Sequence, residues 1–209
     1  MPADRAGGGG MKALGMLGTA LLLAGCALQP APQRESTAQA AQASPRLALA
    51  LALAPAALGC SAAVQQRLTV QPPGQAAKEL EALLEVDAHS MKLAILNLGQ
   101  MVGTLEWDGV QLQPQLSRWW PAVLEPEQVL RDVQLAFWPP QAISAALPEG
   151  WSLAVSAAGR VLQYRGSERV RVRAAGANAL ELVYQQGAWS LRIDSPGGAD
   201  LCSNAAEAP

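Results

Sequence analysis

Apolar and polar residues first fall into a clear pattern at Val64–Val70, a strand-like run that stops at Pro72-Pro73. From Lys78 to Asp87 the alternation is regular, with Leu80, Ala82, Leu84 and Val86 on one face and Glu79, Glu81, Glu85 and Asp87 on the other. Period two with an acidic outer face predicts a half-buried strand. Met91–Leu96 and Met101–Trp107 continue the pattern, joined around Gly99. Asp108-Gly109 then predicts a hairpin turn into Val110–Gln115, which completes a meander of about five strands.

The period changes after Trp119-Trp120-Pro121. Within Glu125–Trp138, Val129, Leu130, Val133 and Phe137 recur at helical spacing. Pro126 suits the first helical position, and Pro139-Pro140 ends the helix. Gln141–Leu147 could form a second short helix. Strands resume at Trp151–Ser156 and Val161–Arg165, with a turn at Gly166-Ser167 into Glu168–Arg173. Leu180–Tyr184 and Trp189–Ile193 follow, joined at Gln186-Gly187. Strands, one or two helices, then strands predict a mostly β domain: an antiparallel sheet with inserted helices packed on one face. Strong curvature would make it a half-open barrel with the helices on its concave side.

The N-terminal region obeys other rules. Lys12 precedes an uninterrupted apolar run that ends in Leu23-Ala24-Gly25-Cys26, a bacterial lipobox. A basic residue before a short apolar segment is a secretory signal, too brief to span a membrane. Residues 1–25 are therefore read as a signal peptide whose true start could be Met11, with Cys26 as the lipidated first residue of the mature protein. Several acyl chains on one cysteine, palmitate among them, would supply stable attachment. Ala27 in place of an aspartate favours the outer membrane of a Gram-negative cell, facing the periplasm.

Ala27–Pro45 is rich in Ala, Gln, Pro and Ser without apolar periodicity and reads as a tether about 25 Å from end to end. Arg46–Cys60 superficially resembles a second signal, but Leu58 spoils its lipobox and a strand or packed lead-in segment is the better reading. The expected division is signal 1–25, lipidated cysteine and tether 26–57, β domain 58–195 and a disordered tail 196–209.

Without the signal 13 basic and 16 acidic residues remain, a net charge of −3. That balance argues against nucleic acid, which demands a basic stripe. Cys60 and Cys202 stand just before the first expected strand and just after the last, in a compartment that permits disulfides. If those strand ends are neighbours, a bridge would contribute on the order of 4 kcal/mol. Two unpaired thiols are the alternative.

No GxSxG, HExxH or CxxC motif and no phosphate-binding glycine loop occurs in the sequence. His89, the one histidine, falls in an expected solvated turn, which all but removes a His-dependent triad. No cofactor, metal or catalytic role is expected.

Candidate ligand contacts are the inward positions Leu80, Leu84, Val86, Leu93, Ile95, Leu105 and Trp107, with Val133 and Phe137 from the helix. Packing of a dry core explains each of them as well. Trp119 and Trp120 could line a cavity mouth or touch headgroups, or anchor their loop in the core. Arg169, Arg171 and Arg173 share a strand face that could meet anionic lipid or simply be solvated.

Several blocks of the chain are familiar: Gln65–Val70, Leu83–Asp87, Gly99 with Thr104-Leu105, Asp108-Gly109, Val129–Pro139 and Pro148–Trp151. Over roughly residues 58–194 they resemble the bacterial lipoprotein family called domain of unknown function 3261. That family is similar to the lipoprotein-localisation proteins LolA and LolB, whose curved antiparallel sheet and helices close a cavity for acyl chains. The resemblance implies a lipid or acylated cargo, and its members' neighbourhood to aryl-polyene-type synthesis genes implies an envelope lipid. An envelope protein partner, scaffolded without lipid, is the alternative. LolB carries an exposed apolar residue on a protruding loop between early strands, whereas the matching hairpin here, Asp87-Ala88-His89-Ser90, is short and polar.

Overall fold

The structure is a computed structural model that describes residues 47, 49–185 and 189–203. Cys26 and the expected signal and tether up to residue 46 lie outside the described residues, as do the expected turn at Gln186-Gly187 and residues 204–209.

Among the described residues, ten strands form one antiparallel sheet. The first meander is β1 (Ala62–Gln71), β2 (Lys78–Val86), β3 (Met91–Asn97), β4 (Gln100–Trp107) and β5 (Leu112–Leu116). Helices α1 (Pro126–Phe137) and α2 (Pro140–Ala146) come next, followed by β6 (Trp151–Ser156), β7 (Gly159–Tyr164), β8 (Ser167–Gly176), β9 (Ala179–Tyr184) and β10 (Trp189–Asp194). The order across the sheet is β5-β4-β3-β2-β1-β10-β9-β8-β7-β6. The two meanders therefore join at β1 and β10, where Leu68 faces Ile193 and Val70 faces Leu191. β5 and β6 are free edges, so the sheet is open. Pro114, which lacks an N–H to offer a further strand, sits in edge strand β5.

Alternation decides which face is buried. In β2, Leu80, Ala82, Leu84 and Val86 are buried while Glu79, Glu81 and Glu85 are exposed. The same face supplies Met91, Leu93 and Ile95 from β3, Val170 and Val172 from β8, and Trp189, Leu191 and Ile193 from β10. Two of the two-residue hairpin turns have left-handed backbone at both central positions, and the sequence misplaced the second of these by one position. Leu98-Gly99 and Arg165-Gly166 form them, with φ of 51°, 73°, 49° and 78°. Positive φ at both central residues matches the strand twist, which is why glycine takes the second position.

A lead-in segment extends the domain beyond its expected start. Leu49, Leu51 and Leu53 are buried and Ala50, Ala52 and Ala54 exposed, so the backbone is extended, yet it belongs to no sheet. A 3₁₀ turn at Pro55–Leu58 follows. The packed domain thus includes residues expected in the tether, because alternate leucines give that stretch an apolar face. It also includes part of the expected tail: Leu201 is buried and Cys202 is joined to Cys60 in a disulfide. The bridge spans 142 residues, for which chain entropy predicts about 5 kcal/mol of stabilisation.

Helix α1 departs from the amphipathic expectation. Leu130, Val133, Leu135 and Ala136 are buried, but so are Gln128, Arg131, Asp132 and Gln134. A helix buried on most sides must satisfy its polar groups internally. The lead-in segment provides the partners. Leu53 donates its N–H to Gln134 Oε1 at 3.1 Å and accepts from Gln134 Nε2 at 3.1 Å. Trp107 Nε1 donates to the same carbonyl at 2.8 Å, Trp138 Nε1 to Ala54 O at 3.1 Å and Arg131 to Leu49 O at 3.3 Å. Backbone groups without a strand partner are thereby paired with side chains of α1 and β4. Arg160 of β7 donates to Leu135 O at 3.1 Å and Trp138 O at 2.6 Å, which caps the C-terminal end of α1.

Candidate functional site: an apolar crevice beneath helix α1

Between the buried sheet face and α1 lies a narrow crevice of about 30 Å³. Its walls are mostly aliphatic: Leu68 and Val70 from β1, Leu93 and Ile95 from β3, Leu191 from β10 and Val133 from α1. Four polar side chains also reach it, Gln66, Gln128, Asp132 and Trp189.

Each polar group arrives by strand or helix periodicity. Gln66 occupies an inward position of β1 and donates to Ser195 Oγ at 3.0 Å. Gln128 and Asp132 stand one turn apart on α1, hence on the same helix face. Asp132 accepts a hydrogen bond from the Tyr184 hydroxyl of β9. Burial pushes the Asp132 carboxyl up to about 6, against weaker opposing effects of the Arg131 charge, the Tyr184 hydrogen bond and the nearby Gln128 amide. Burial also raises the Tyr184 hydroxyl well above its ordinary value, and the neighbouring Asp132 charge adds to the rise. Trp189 meets Tyr184 edge-to-face, with ring centroids 5.1 Å apart.

Of the expected ligand contacts, Leu93, Ile95 and Val133 line this crevice. Leu84 and Leu105 flank Leu93 across the ladder and are fully buried in the core beside it. Leu80 is buried opposite Leu68 but does not reach the crevice. Val86 and Trp107 lie away from it, at the strand ends joined through Met91, where Trp107 holds the lead-in segment. Phe137 is only half-buried and opens instead on a separate surface hollow with Leu58, Arg160 and Leu201. Gln66, Gln128, Asp132 and Trp189 were missed. Strand alternation placed Gln66 inward, but the polar residues of α1 follow no single stripe and pattern reading assigns them to solvent.

The paired tryptophans separate. Trp120 covers Gly103 of β4 so closely that an added Cβ there would sit 2.6 Å from its ring, and its Nε1 donates to Leu124 O at 2.6 Å. Trp120 therefore anchors the loop. Trp119 is 63% exposed, with the Arg118 guanidinium stacked 4.6 Å from its ring centre. The arginine strand is largely neutralised: Arg171 pairs with Glu168 and Arg173 with Glu181 at 2.6 Å. His89 sits in an exposed turn ordered by Asp87, whose carboxylate accepts from the N–H groups of His89 and Ser90 at 2.7 and 2.8 Å. An exposed apolar hairpin tip does exist, one hairpin later than Asp87–Ser90: Leu98 is 94% exposed.

The family model described as protein of unknown function (DUF3261) matches residues 63–196, from the start of β1 to just past β10. The chain belongs to the DUF3261 family. No curated protein matches it. Both walls of the crevice fall inside the DUF3261 match, whereas the lead-in segment and both cysteines of the disulfide lie outside it. Among the described residues there is no cluster of three metal-ligating side chains, and no helix is long and apolar enough to cross a membrane.

Proposed function

We propose that this DUF3261 protein is an outer-membrane lipoprotein, anchored through an acylated Cys26 and facing the periplasm, whose domain receives a lipid or acylated cargo without catalysing a reaction. The observation that carries the proposal is the aliphatic crevice between the sheet and α1. A chain of methylenes placed against such walls gains roughly 0.8 kcal/mol for each one removed from water.

A half-open barrel of the LolA and LolB kind is the sheet shape that best accounts for the burial. Ten strands laid flat would span about 43 Å, whereas a 12-residue helix is about 18 Å long. Inward residues are nonetheless buried on β1 to β4 and on β7 to β10. A sheet that wraps around α1 lets so small a cover exclude water from so many strands. Leu98, at the tip of the β3–β4 hairpin, supports contact with a membrane surface.

The crevice has room for about one water molecule, while sites for whole ligands occupy roughly 300 Å³ or more. Cargo must therefore displace α1 or the loop 117–125 from the sheet. That near-closure favours a second reading, in which a dry domain scaffolds an envelope assembly through a protein partner. Native purification followed by lipid mass spectrometry separates the two. Copurified acyl lipid, together with displacement of a hydrophobic fluorophore, is the expected result. Protein free of lipid that also binds no fluorophore would overturn the proposal.

A further inference from the structure

Two buried side chains at the crevice have polar atoms with no partner. Gln128 is 3% exposed, and neither its Oε1 nor its Nε2 makes a hydrogen bond. Trp189 is 1% exposed, and its Nε1 is also unpaired. Both line the same apolar crevice. Each dry polar group costs about 1–3 kcal/mol, a cost that leucine and phenylalanine at these positions would avoid. On the same helix, Gln134 and Asp132 are both hydrogen-bonded.

We propose that Gln128 and Trp189 form a head-group site for a single-chain acylated molecule with a neutral, hydrogen-bonding head. This rests on the lipid-receiving reading above and adds the chemistry of the head. The Gln128 amide and the Trp189 indole supply donors for an ester or amide carbonyl oxygen. Gln128 Oε1 accepts from a hydroxyl or an amide N–H of the same head. The acyl chain then runs along Leu68, Val70, Leu93 and Leu191, on the sheet side of the crevice. An ionised carboxylate is the wrong head. Asp132 already places an acidic group on this wall, and the Arg131 guanidinium is turned to the Leu49 carbonyl. A second anion buried there would compete with Asp132 for the charge of Arg131.

The test uses the full chain, stripped of lipid, and displacement of the neutral fluorophore N-phenyl-1-naphthylamine at pH 7.5. The competitors are 1-monolauroylglycerol and laurate, which share one chain and differ in the head. The wild type is expected to bind monolauroylglycerol at least about tenfold more tightly than laurate. Gln128→Leu should weaken monolauroylglycerol about tenfold relative to the fluorophore affinity measured on the same variant. Trp189→Phe, which deletes the N–H and keeps an aromatic ring, makes the same comparison if Gln128→Leu does not fold. Fluorophore binding without head-group preference, or variants that bind monolauroylglycerol like the wild type, would overturn the head-group site and leave the lipid-receiving reading intact. A folded wild type that binds neither fluorophore nor monolauroylglycerol overturns both.

Discussion

Gln134→Leu is the substitution that most directly tests how the lead-in segment is held. Gln134 is fully buried and makes two hydrogen bonds to Leu53, one to its N–H and one to its carbonyl, each 3.1 Å long. Leucine fills nearly the same volume, so the change removes hydrogen bonds without opening a large cavity. The Leu53 carbonyl keeps its bond from Trp107 Nε1 at 2.8 Å. The Leu53 N–H loses its partner inside the core. Two lost bonds at about 1 kcal/mol each, together with the penalty for a dry N–H, give an expected loss of about 2–4 kcal/mol. At roughly 3 °C per kcal/mol for a domain of this size, Tm should fall by about 6–12 °C. Urea and thermal unfolding followed by circular dichroism measure the loss, and limited proteolysis reports whether residues 47–58 become the first cleavage site. Trp107→Phe removes only one of two donors to the Leu53 carbonyl and should cost less. Both substitutions together leave the carbonyl dry as well, so their combined cost should exceed the sum of the single ones. A Gln134→Leu protein within 0.5 kcal/mol of wild type, or strict additivity with Trp107→Phe (both thresholds set by the usual scatter of such measurements, about 0.3–0.5 kcal/mol), would refute the clamp.

Three further outcomes are expected. Asp132 holds its proton up to about pH 6 in the folded state against an ordinary value of 3.8, so the folded protein binds more protons than the unfolded chain between those values. Stability should therefore fall as pH rises through that window, by an amount on the order of 3 kcal/mol, and Asp132→Asn should flatten the change; urea midpoints at pH 4.5 and 7.5 check it. Arg160→Met removes the donor to Leu135 O and Trp138 O and should cost about 1–2 kcal/mol in the same unfolding assay, with faster amide exchange in the last turn of α1. Leu98→Asn places a residue tolerant of left-handed backbone at φ 51°, which should raise stability by about 0.5–1 kcal/mol while weakening flotation with anionic phospholipid vesicles. Unchanged flotation would remove Leu98 from the membrane contact.

The element boundaries in this protein were legible because strands and helices write their periods into the order of residues. The alternation of β2 and the proline-bounded run of α1 predict structure within a residue or two of what forms. Turn chemistry at Gly99 and Gly166 did nearly as well, since only a few backbone conformations reverse a strand in two residues. The lipobox expected to end at Cys26 would likewise be a local signal, legible without the fold.

The crevice and its polar wall were decided by tertiary structure alone. Gln128, Arg131, Asp132 and Gln134 are polar residues on an otherwise apolar helix, and local pattern assigns such residues to water. Gln134 and Arg131 are buried where the lead-in segment, more than 70 residues earlier, brings unpaired backbone groups to them. Tyr184, 52 positions after Asp132, supplies the partner that lets a carboxyl group remain in the core. Residues so far apart in the chain carry no local period that relates them. Periodicity says which side of an element prefers to leave water, whereas only the packed chain determines whether a buried polar group finds a partner or, like Gln128 and the Trp189 indole, is left facing an apolar space.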